Sequence, residues 1–261
     1  MFIPCRQCQN GYKRIAHTDS SSGLTYHTVA KCECLTKHQQ RSMLEIAVKR
    51  AGLRPSILEW SPPYHPSSHY KGTASRSSAD KLVRYVENID DPSYSRQSLY
   101  LAGSYSTQKT TLAQWAGLEL LQRGKKVHYT LMRTLLNALV DEHHSWSDSD
   151  RHEGKSRRSL LQQVQDVDVL IIDESFDPQK MTMYKSGYQL PFLDEFLRDR
   201  LDVHEQPTIF VSNVHIKDID KQFLSLKSLL ERRIALHGAE LDFKDNFVAL
   251  ANSFDVKDIF A

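Results

Sequence analysis

The spacing of apolar residues changes along this chain. From about residue 79 onward, short aliphatic runs alternate with stretches whose apolar positions recur every three or four residues. ADKLVRYVENI reads as a helix, SLYLAG as a buried strand, and the stretch from Lys109 to about Leu121 as a second helix. KVHYTLM is the next strand, and helices over about 134–142 and 157–165 follow it. Then come strand VDVLIIDE, helix PFLDEFLRDRLDVH, strand TIFVSN, helix KDIDKQFLSLKSLLERRI and a last strand near AELDF. Continuous rather than alternating apolarity marks strands buried on both faces. The pattern therefore predicts an α/β fold, a parallel five-stranded sheet with helices on both sides.

The front of the chain is organised differently. QRSMLEIAVKRAGL places Met43, Leu44, Ala47, Val48 and Ala51 at helical spacing, and Gly52 and Pro55 stop that helix. Residues 61–78, SPPYHPSSHYKGTASRSS, are rich in Pro and Ser and short of aliphatics, the composition of a linker. Residues 1–39 read as a loop-rich module built from two short hairpin-like pieces. The expected organisation is a small module over 1–39, a connecting helix and linker over 40–78, and a main domain over 79–261.

Length and charge sharpen this picture. The 261 residues suffice for one well-cored domain of roughly 180 to 200 residues plus a small module. No uncharged apolar run reaches the ~18 residues of a membrane span, and the opening MFIPCRQCQN lacks a signal-peptide layout, so a soluble cytoplasmic protein without a membrane partner is expected. The net charge of +2 is uneven, since residues 1–60 carry 9 Lys/Arg against 4 Asp/Glu and the remainder 25 against 28. A basic front end suits an acidic partner such as nucleic acid, and equally a solvated surface.

All four cysteines, Cys5, Cys8, Cys32 and Cys34, fall within the first 34 residues. Paired cysteines in a reducing compartment more often hold a metal than a disulfide, and tetrahedral Zn²⁺ would supply folding free energy that so small a core lacks. Cys5-x-x-Cys8 followed by Gly11 is a good knuckle. Cys32-x-Cys34 has one spacer, so in extended chain the two thiols would point oppositely and a turn must unite them. A four-cysteine site, a site with His27 or His38 replacing one cysteine, and structural or redox thiols are the three readings.

The candidate chemistry of the main domain begins at Gly103-Ser-Tyr-Ser-Thr-Gln-Lys109-Thr110, which meets the phosphate-loop pattern G-x-x-x-x-G-K-[ST] except at Gln108. Such a loop surrounds phosphates with backbone N–H groups, brings its Lys to the β and γ groups and its Thr hydroxyl to magnesium. Gly103, Ser106, Thr107, Gln108, Lys109, Thr110 and Thr111 are the nucleotide-binding candidates. Glycine at 108 would permit close approach of backbone to phosphate, so the glutamine side chain must point away or the loop must widen. An ordinary strand-loop-helix is the competing reading. VDVLIIDE then ends a strand in adjacent acids, where open α/β sheets bind ligands; Asp173 is the magnesium candidate with Thr110, and Glu174 the group that polarises attacking water. Asn213, at the end of TIFVSN, is a candidate to sense the γ-phosphate or to orient water, with plain loop capping as its alternative. Arg232 and Arg233 in LLERRI are candidates for a finger entering a neighbouring subunit's site, with surface salt bridging as theirs. Being adjacent, the two arginines are not expected to point the same way.

In order and spacing these elements resemble the DnaC/DnaI-type helicase loaders of the AAA+ ATPases, close also to the IstB-like transposition ATPases. CRQCQNGY with KCECL resembles the zinc-binding front end of the DnaI-like branch, and KRAGLRPSILEW the segment preceding the ATPase core. YVENI, SLYLAG, LLQQVQDVDVLIIDE, TIFVSN, LLERRI and GAELDF follow in family order. The resemblance implies an AAA+ core without a helical lid and an oligomer self-associating through its AAA+ domains. It implies ATP, Mg²⁺ and Zn²⁺ as cofactors, and a weak ATPase given Gln108. It further implies N-terminal binding to a hexameric replicative DNA helicase, which is placed on single-stranded DNA. In that family helices corresponding to about 134–165 lie near the DNA, and Arg133, Lys155, Arg157 and Arg158 are available there. A phage or mobile-element origin is expected. Two other functions stand beside the loader: a transposition helper binding duplex DNA, and a non-hydrolysing adaptor or inhibitor of a host helicase.

Overall fold

A computed structural model of the chain describes residues 3–60, 66–145, 154–177 and 190–244, with the side chains of 142–145, 154–159, 222 and 235–237 left aside. The chain divides into two compact units, Met1–Lys49 and Arg50–Ala261. In the first, β1 (Tyr12–Thr18) and β2 (Thr25–Lys31) form an antiparallel hairpin, and α1 (Glu33–Arg50) follows directly. The helix starts seven residues ahead of the expected position 40. Its start falls between Cys32 and Cys34, and Leu35 and Thr36 donate their N–H groups to the Cys32 carbonyl as the first helical bonds.

The second unit holds α2 (Thr73–Glu87), β3 (Ser98–Gly103), α3 (Lys109–Gln122), β4 (Val127–Leu131), α4 (Met132–Ser145), α5 (Gly154–Gln165), β5 (Val169–Asp173), α6 (Leu190–Arg198), β6 (Thr208–Val211), α7 (Leu224–His237) and β7 (Gly238–Phe243). The five strands make one sheet in the order β4-β5-β6-β3-β7, every neighbouring pair parallel, as the apolar runs predicted. All residues of β3, β5 and β6 are buried. Alternate side chains serve opposite faces. Tyr100, Leu170, Ile172 and Phe210 join one core cluster with residues of α4 to α7. Ile171 faces the other way, where Gly117 lets α3 approach so closely that an added Cβ would sit 3.0 Å from the Ile171 Cδ1.

Residues 66–78 depart from the linker expectation; 61–65 lie outside the described residues. Pro66–His69 forms a short 3₁₀ turn, and α2 begins at Thr73, six residues before the expected helix start. The serines that made this stretch look unstructured are its packing residues. Ser75 and Ser78 are buried, the Ser78 hydroxyl donates to the Asp242 carbonyl at 2.8 Å, and the Ser75 hydroxyl accepts from the Lys244 N–H at 3.0 Å. Small side chains let the helix sit against β7, and their hydroxyls serve backbone groups at the strand's end.

A π-helical turn, Asp199–Val203, extends α6 and carries two anchoring residues. Arg200 is buried and donates to the Val164, Val167 and Pro207 carbonyls, the Gln206 side chain and the Thr208 hydroxyl. Burial lowers its pKa to about 10 against the pull of Tyr85 and Asp168. The expected absence of a lid concerns residues after Phe243, most of which (245–261) lie outside the described residues. Among the described residues no helix is long and apolar enough to cross a membrane.

Candidate functional site

The open end of the sheet gathers most of the predicted residues into one place. β3 ends at Gly103, the loop 104–108 turns, and α3 starts at Lys109, so the first N–H groups of that helix face the same cavity as the ends of β5 and β6. The cavity measures about 260 Å³. Ser106, Thr107, Gln108, Lys109 and Thr110 line it from the loop, with Asp173, Glu174 and Asn213 opposite. Tyr105, Val211 and Ser212 complete the wall. Gly103 stands behind the loop, with φ of 141° and so near β7 that a Cβ would lie 2.0 Å from the Phe243 carbonyl oxygen. A side chain there would force β3 and β7 apart.

Gln108 adopts the left-handed conformation, φ 59° and ψ 24°, that glycine takes without strain. Its side chain is exposed, and the Oε1 accepts a 2.6 Å bond from the Thr111 hydroxyl on the first turn of α3. The backbone keeps the geometry glycine would adopt, and the carboxamide is tied to the first turn of the helix. Thr111 therefore fixes Gln108 and is not part of the cavity wall described above.

Lys109 is almost fully buried. Its ammonium donates to the Gly103 carbonyl at 2.9 Å, the Ser104 carbonyl at 2.7 Å and the Thr107 hydroxyl at 3.1 Å, using all three hydrogens. Burial lowers its pKa to about 8, opposed by the charge of Asp173. Tyr70, from the segment read as a linker, supports the same loop by donating to the Thr107 carbonyl at 2.8 Å while its ring packs on Phe243.

Asp173 is buried at the end of β5, accepting from Tyr129 Oη at 2.6 Å and from the Glu174 N–H at 2.7 Å. Burial and the neighbouring Asp173 charge both raise the Tyr129 pKa, so its proton stays on. Glu174 has a positive φ of 56°, a kink that turns the chain as it leaves the strand. Asn213 Nδ2 donates to Asp177 Oδ2 at 3.2 Å, and Tyr105 Oη donates to the same oxygen at 3.1 Å. A buried carboxylate thus joins the phosphate-type loop to the end of β6. Tyr70, Tyr105, Tyr129 and Asp177 were missed in the sequence. Only Asp177 carried a signal, as a further acid four positions beyond Asp173.

Arg232 and Arg233 lie on α7, outside the cavity wall. Arg232 Nη2 bonds Asp202 Oδ2 at 2.5 Å, and Arg233 Nε lies 3.7 Å from Asp202 Oδ1. Arg232 is exposed and Arg233 buried, yet both lie near the one carboxylate of Asp202. That carboxylate is supplied by the π-helical turn. The side chains of Lys155, Arg157 and Arg158 lie outside the described residues.

In the first unit the four cysteines meet. Their sulfurs all lie within 4.8 Å of one another, with Cys5–Cys32 at 3.6 Å, Cys8–Cys34 at 3.4 Å and Cys5–Cys8 at 3.6 Å. Tetrahedral zinc with Zn–S of ~2.3 Å requires sulfurs ~3.8 Å apart, which these residues match closely. His27 and His38 are not members of the group. The turn demanded by Cys32-x-Cys34 is the switch from strand to helix: Cys32 precedes α1 and Cys34 sits in its first turn. Gly11, φ 86°, passes so close to Leu35 that a Cβ would lie 2.8 Å from the Leu35 Cβ. The N–H of Cys34 lowers the Cys32 thiol to about 7, while desolvation and the neighbouring thiols raise Cys8 to about 12.

No family model matches the chain. It is 24% identical over 187 residues to the replicative helicase loader DnaC of Escherichia coli K12, covering 72% of this chain and 69% of that protein, and matches DnaC of Shigella flexneri equally. Among solved structures, AMPPCP-bound DnaA from Aquifex aeolicus superposes with a TM-score of 0.51 at 21% identity over 69% of this chain, and the chain spans 50% of that one's length. A DnaC helicase loader structure gives a TM-score of 0.49 at 17% identity over 69% of this chain and 94% of that one. The second unit is an α/β fold with a parallel five-stranded sheet, like that of the DnaA structure, and the detectable sequence similarity runs to helicase loaders.

Proposed function

We propose that this protein is an ATP- and Mg²⁺-dependent loader that binds a hexameric replicative DNA helicase and helps place it on single-stranded DNA. The observation that carries the reading is the convergence of Lys109, Thr110, Asp173, Glu174 and Asn213 on one cavity, in a chain similar to DnaC over most of its length. The α3 N-terminus and Lys109 would hold the β and γ phosphates, after the ammonium exchanges loop carbonyls for phosphate oxygens. Thr110 and Asp173 would hold Mg²⁺, which neutralises phosphate charge when bound. Tyr129 keeps the Asp173 carboxylate oriented. Glu174 would take a proton from the attacking water, and Asn213 would position it.

Hydrolysis would be weak and assembly-dependent. Both candidate finger residues are tied to Asp202 within their own subunit, so delivering Arg232 to a neighbour's phosphate requires an exchange of partners. In this reading the cysteine group holds one Zn²⁺ and braces the N-terminal unit, where Met43 and Ile46 of α1 are exposed for the helicase. The adaptor reading has one observation in its favour: the complete set of acceptors already around Lys109.

The deciding experiment is nucleotide binding by the full chain and by Lys109→Ala, combined with ATP-dependent capture of a hexameric replicative helicase. Tight ATP binding by the wild type alone, with capture that requires ATP, is expected. Equal affinity of the two proteins for ATP would remove the motor and leave the adaptor; capture of duplex DNA in the absence of helicase would favour the transposition helper.

A further inference from the structure

The β1–β2 hairpin is a two-stranded sheet that no other strand joins among the described residues, and nearly every side chain on it is exposed. So open a hairpin has little packing of its own to serve, which leaves its composition to be explained by something else. The pairs Tyr12↔Lys31, Arg14↔Val29 and Ala16↔His27 put Tyr12, Arg14, His27, Val29 and Lys31 on one face.

The charge on that face is uncompensated. Neither strand contains an acid. Asp19, in the connecting turn, accepts from the Ser21 N–H at 2.8 Å and the Ser21 hydroxyl at 2.6 Å. Elsewhere in the unit Lys37 pairs with Glu33 at 2.8 Å, Arg41 with Glu45 at 3.3 Å, and Lys13, on the opposite face, donates to Gln7 at 3.2 Å. Arg14 and Lys31 have no side-chain partner among the described residues. Beside them Tyr12 is 44% and Val29 67% exposed.

Two free cations flanking an exposed aromatic ring match a flexible polyanion that offers flat apolar groups. An apolar protein groove would bury Arg14 and Lys31 without countercharge, and duplex DNA keeps its base faces stacked away from Tyr12. We propose that this face of the hairpin binds single-stranded DNA, with phosphates on Arg14 and Lys31 and a base stacked on Tyr12. The choice of DNA over RNA rests on the loader reading. The surface itself does not, since it involves no residue of the nucleotide cavity.

The test is fluorescence anisotropy of a labelled oligo-dT of about 20 nucleotides with the full-length, zinc-loaded protein, without nucleotide or helicase. Tyr12→Ala is expected to weaken binding about tenfold, the scale of one lost stacking contact. Arg14→Ser with Lys31→Ser should weaken it at least as much and flatten the log–log salt dependence by about 1.4, since each phosphate contact on a single strand contributes about 0.7. Lys37→Ser, which removes a charge from α1, should bind as the wild type does. Zinc content and circular dichroism confirm that the variants keep the unit folded. Affinities within about twofold of wild type in both hairpin variants would overturn the proposal, as would tighter binding of duplex or of oligo-rU. Loss of helicase capture with oligo-dT affinity intact would also overturn it, and would turn the hairpin into a protein-docking element. Because no ATP is present, failure of the nucleotide site would leave this outcome unaffected.

Discussion

Tyr129 on β4 donates its phenolic hydrogen to Asp173 on β5 across 2.6 Å, so the acid proposed to hold magnesium is positioned by the neighbouring strand. The register pairs Tyr129 with Ile171 and Leu131 with Asp173, so the tyrosine reaches diagonally along the sheet to the end of the next strand. Tyr129→Phe removes a hydrogen bond to a buried charge, worth about 1.5–3 kcal/mol in general. The variant is expected to unfold at lower temperature and to require several times more Mg²⁺ for nucleotide binding. Calorimetric Mg²⁺ titrations at fixed ATP would read this; an unchanged requirement would mean that the tyrosine only braces the strands.

Gln108 pays for its left-handed backbone in strain, on the order of 1 kcal/mol relative to glycine. Gln108→Gly relieves that strain, frees the Thr111 hydroxyl and reduces bulk at the loop. ATP should bind several-fold more tightly in isothermal titration. Weaker binding would show that the carboxamide contributes a phosphate contact, and the loop would have to be described as a variant that uses its glutamine.

Lys109 makes nucleotide affinity depend on pH above neutrality. With its pKa lowered to about 8, the lysine is mostly charged at pH 7 and mostly neutral at pH 9, whereas bound phosphate holds the charged form. The sign follows directly: binding must take up a proton as pH rises through that value, so affinity falls, by about tenfold between pH 7 and pH 9. Lys109→Arg stays protonated throughout and should flatten the profile if it folds normally. A wild-type affinity constant across that range would place the phosphates away from the ammonium.

Removing one sulfur tests the cysteine group. Cys34→Ser is expected to lose the single bound zinc and, with it, the folded N-terminal unit, since a structural zinc supplies about 10 kcal/mol or more in small domains. Metal analysis and hydrogen exchange over residues 3–49 are the readouts, and the second unit should keep its protection. Full metal content in the variant would point to ligands other than the four thiols.

The chain's linear pattern reveals part of this arrangement and hides the rest, for identifiable reasons. VLIID is legible as a strand with its acid at the outer end because burial on both faces demands an unbroken apolar run, and the run ends where the chain meets water. Lys109 and Thr110 are legible because a strand, a tight loop and a helix are consecutive in sequence. Ser75 and Ser78 mislead: composition marks serine as a loop residue, yet against β7 their small size and hydroxyls are what packing requires. Cys32-x-Cys34 looks irregular until a helix starts between the two residues.

Local order along the chain, then, determined the α/β class, the five strands, the phosphate-type loop and the presence of a cysteine group, because each depends on periodicity or on neighbours a few positions apart. Only the tertiary structure decided that Gln108 keeps a glycine's backbone, that Tyr129 holds Asp173, that Asp177 links Tyr105 to Asn213 and that Asp202 gathers both arginines. Those relations join residues between 30 and 72 positions apart, apart from Gln108, whose φ is set by the strand and helix on either side of it. No local propensity encodes them; those at the cavity arise where the sheet order β4-β5-β6-β3-β7 brings strand ends from distant parts of the chain to one edge, and the Asp202 pair where a π-helical turn meets α7.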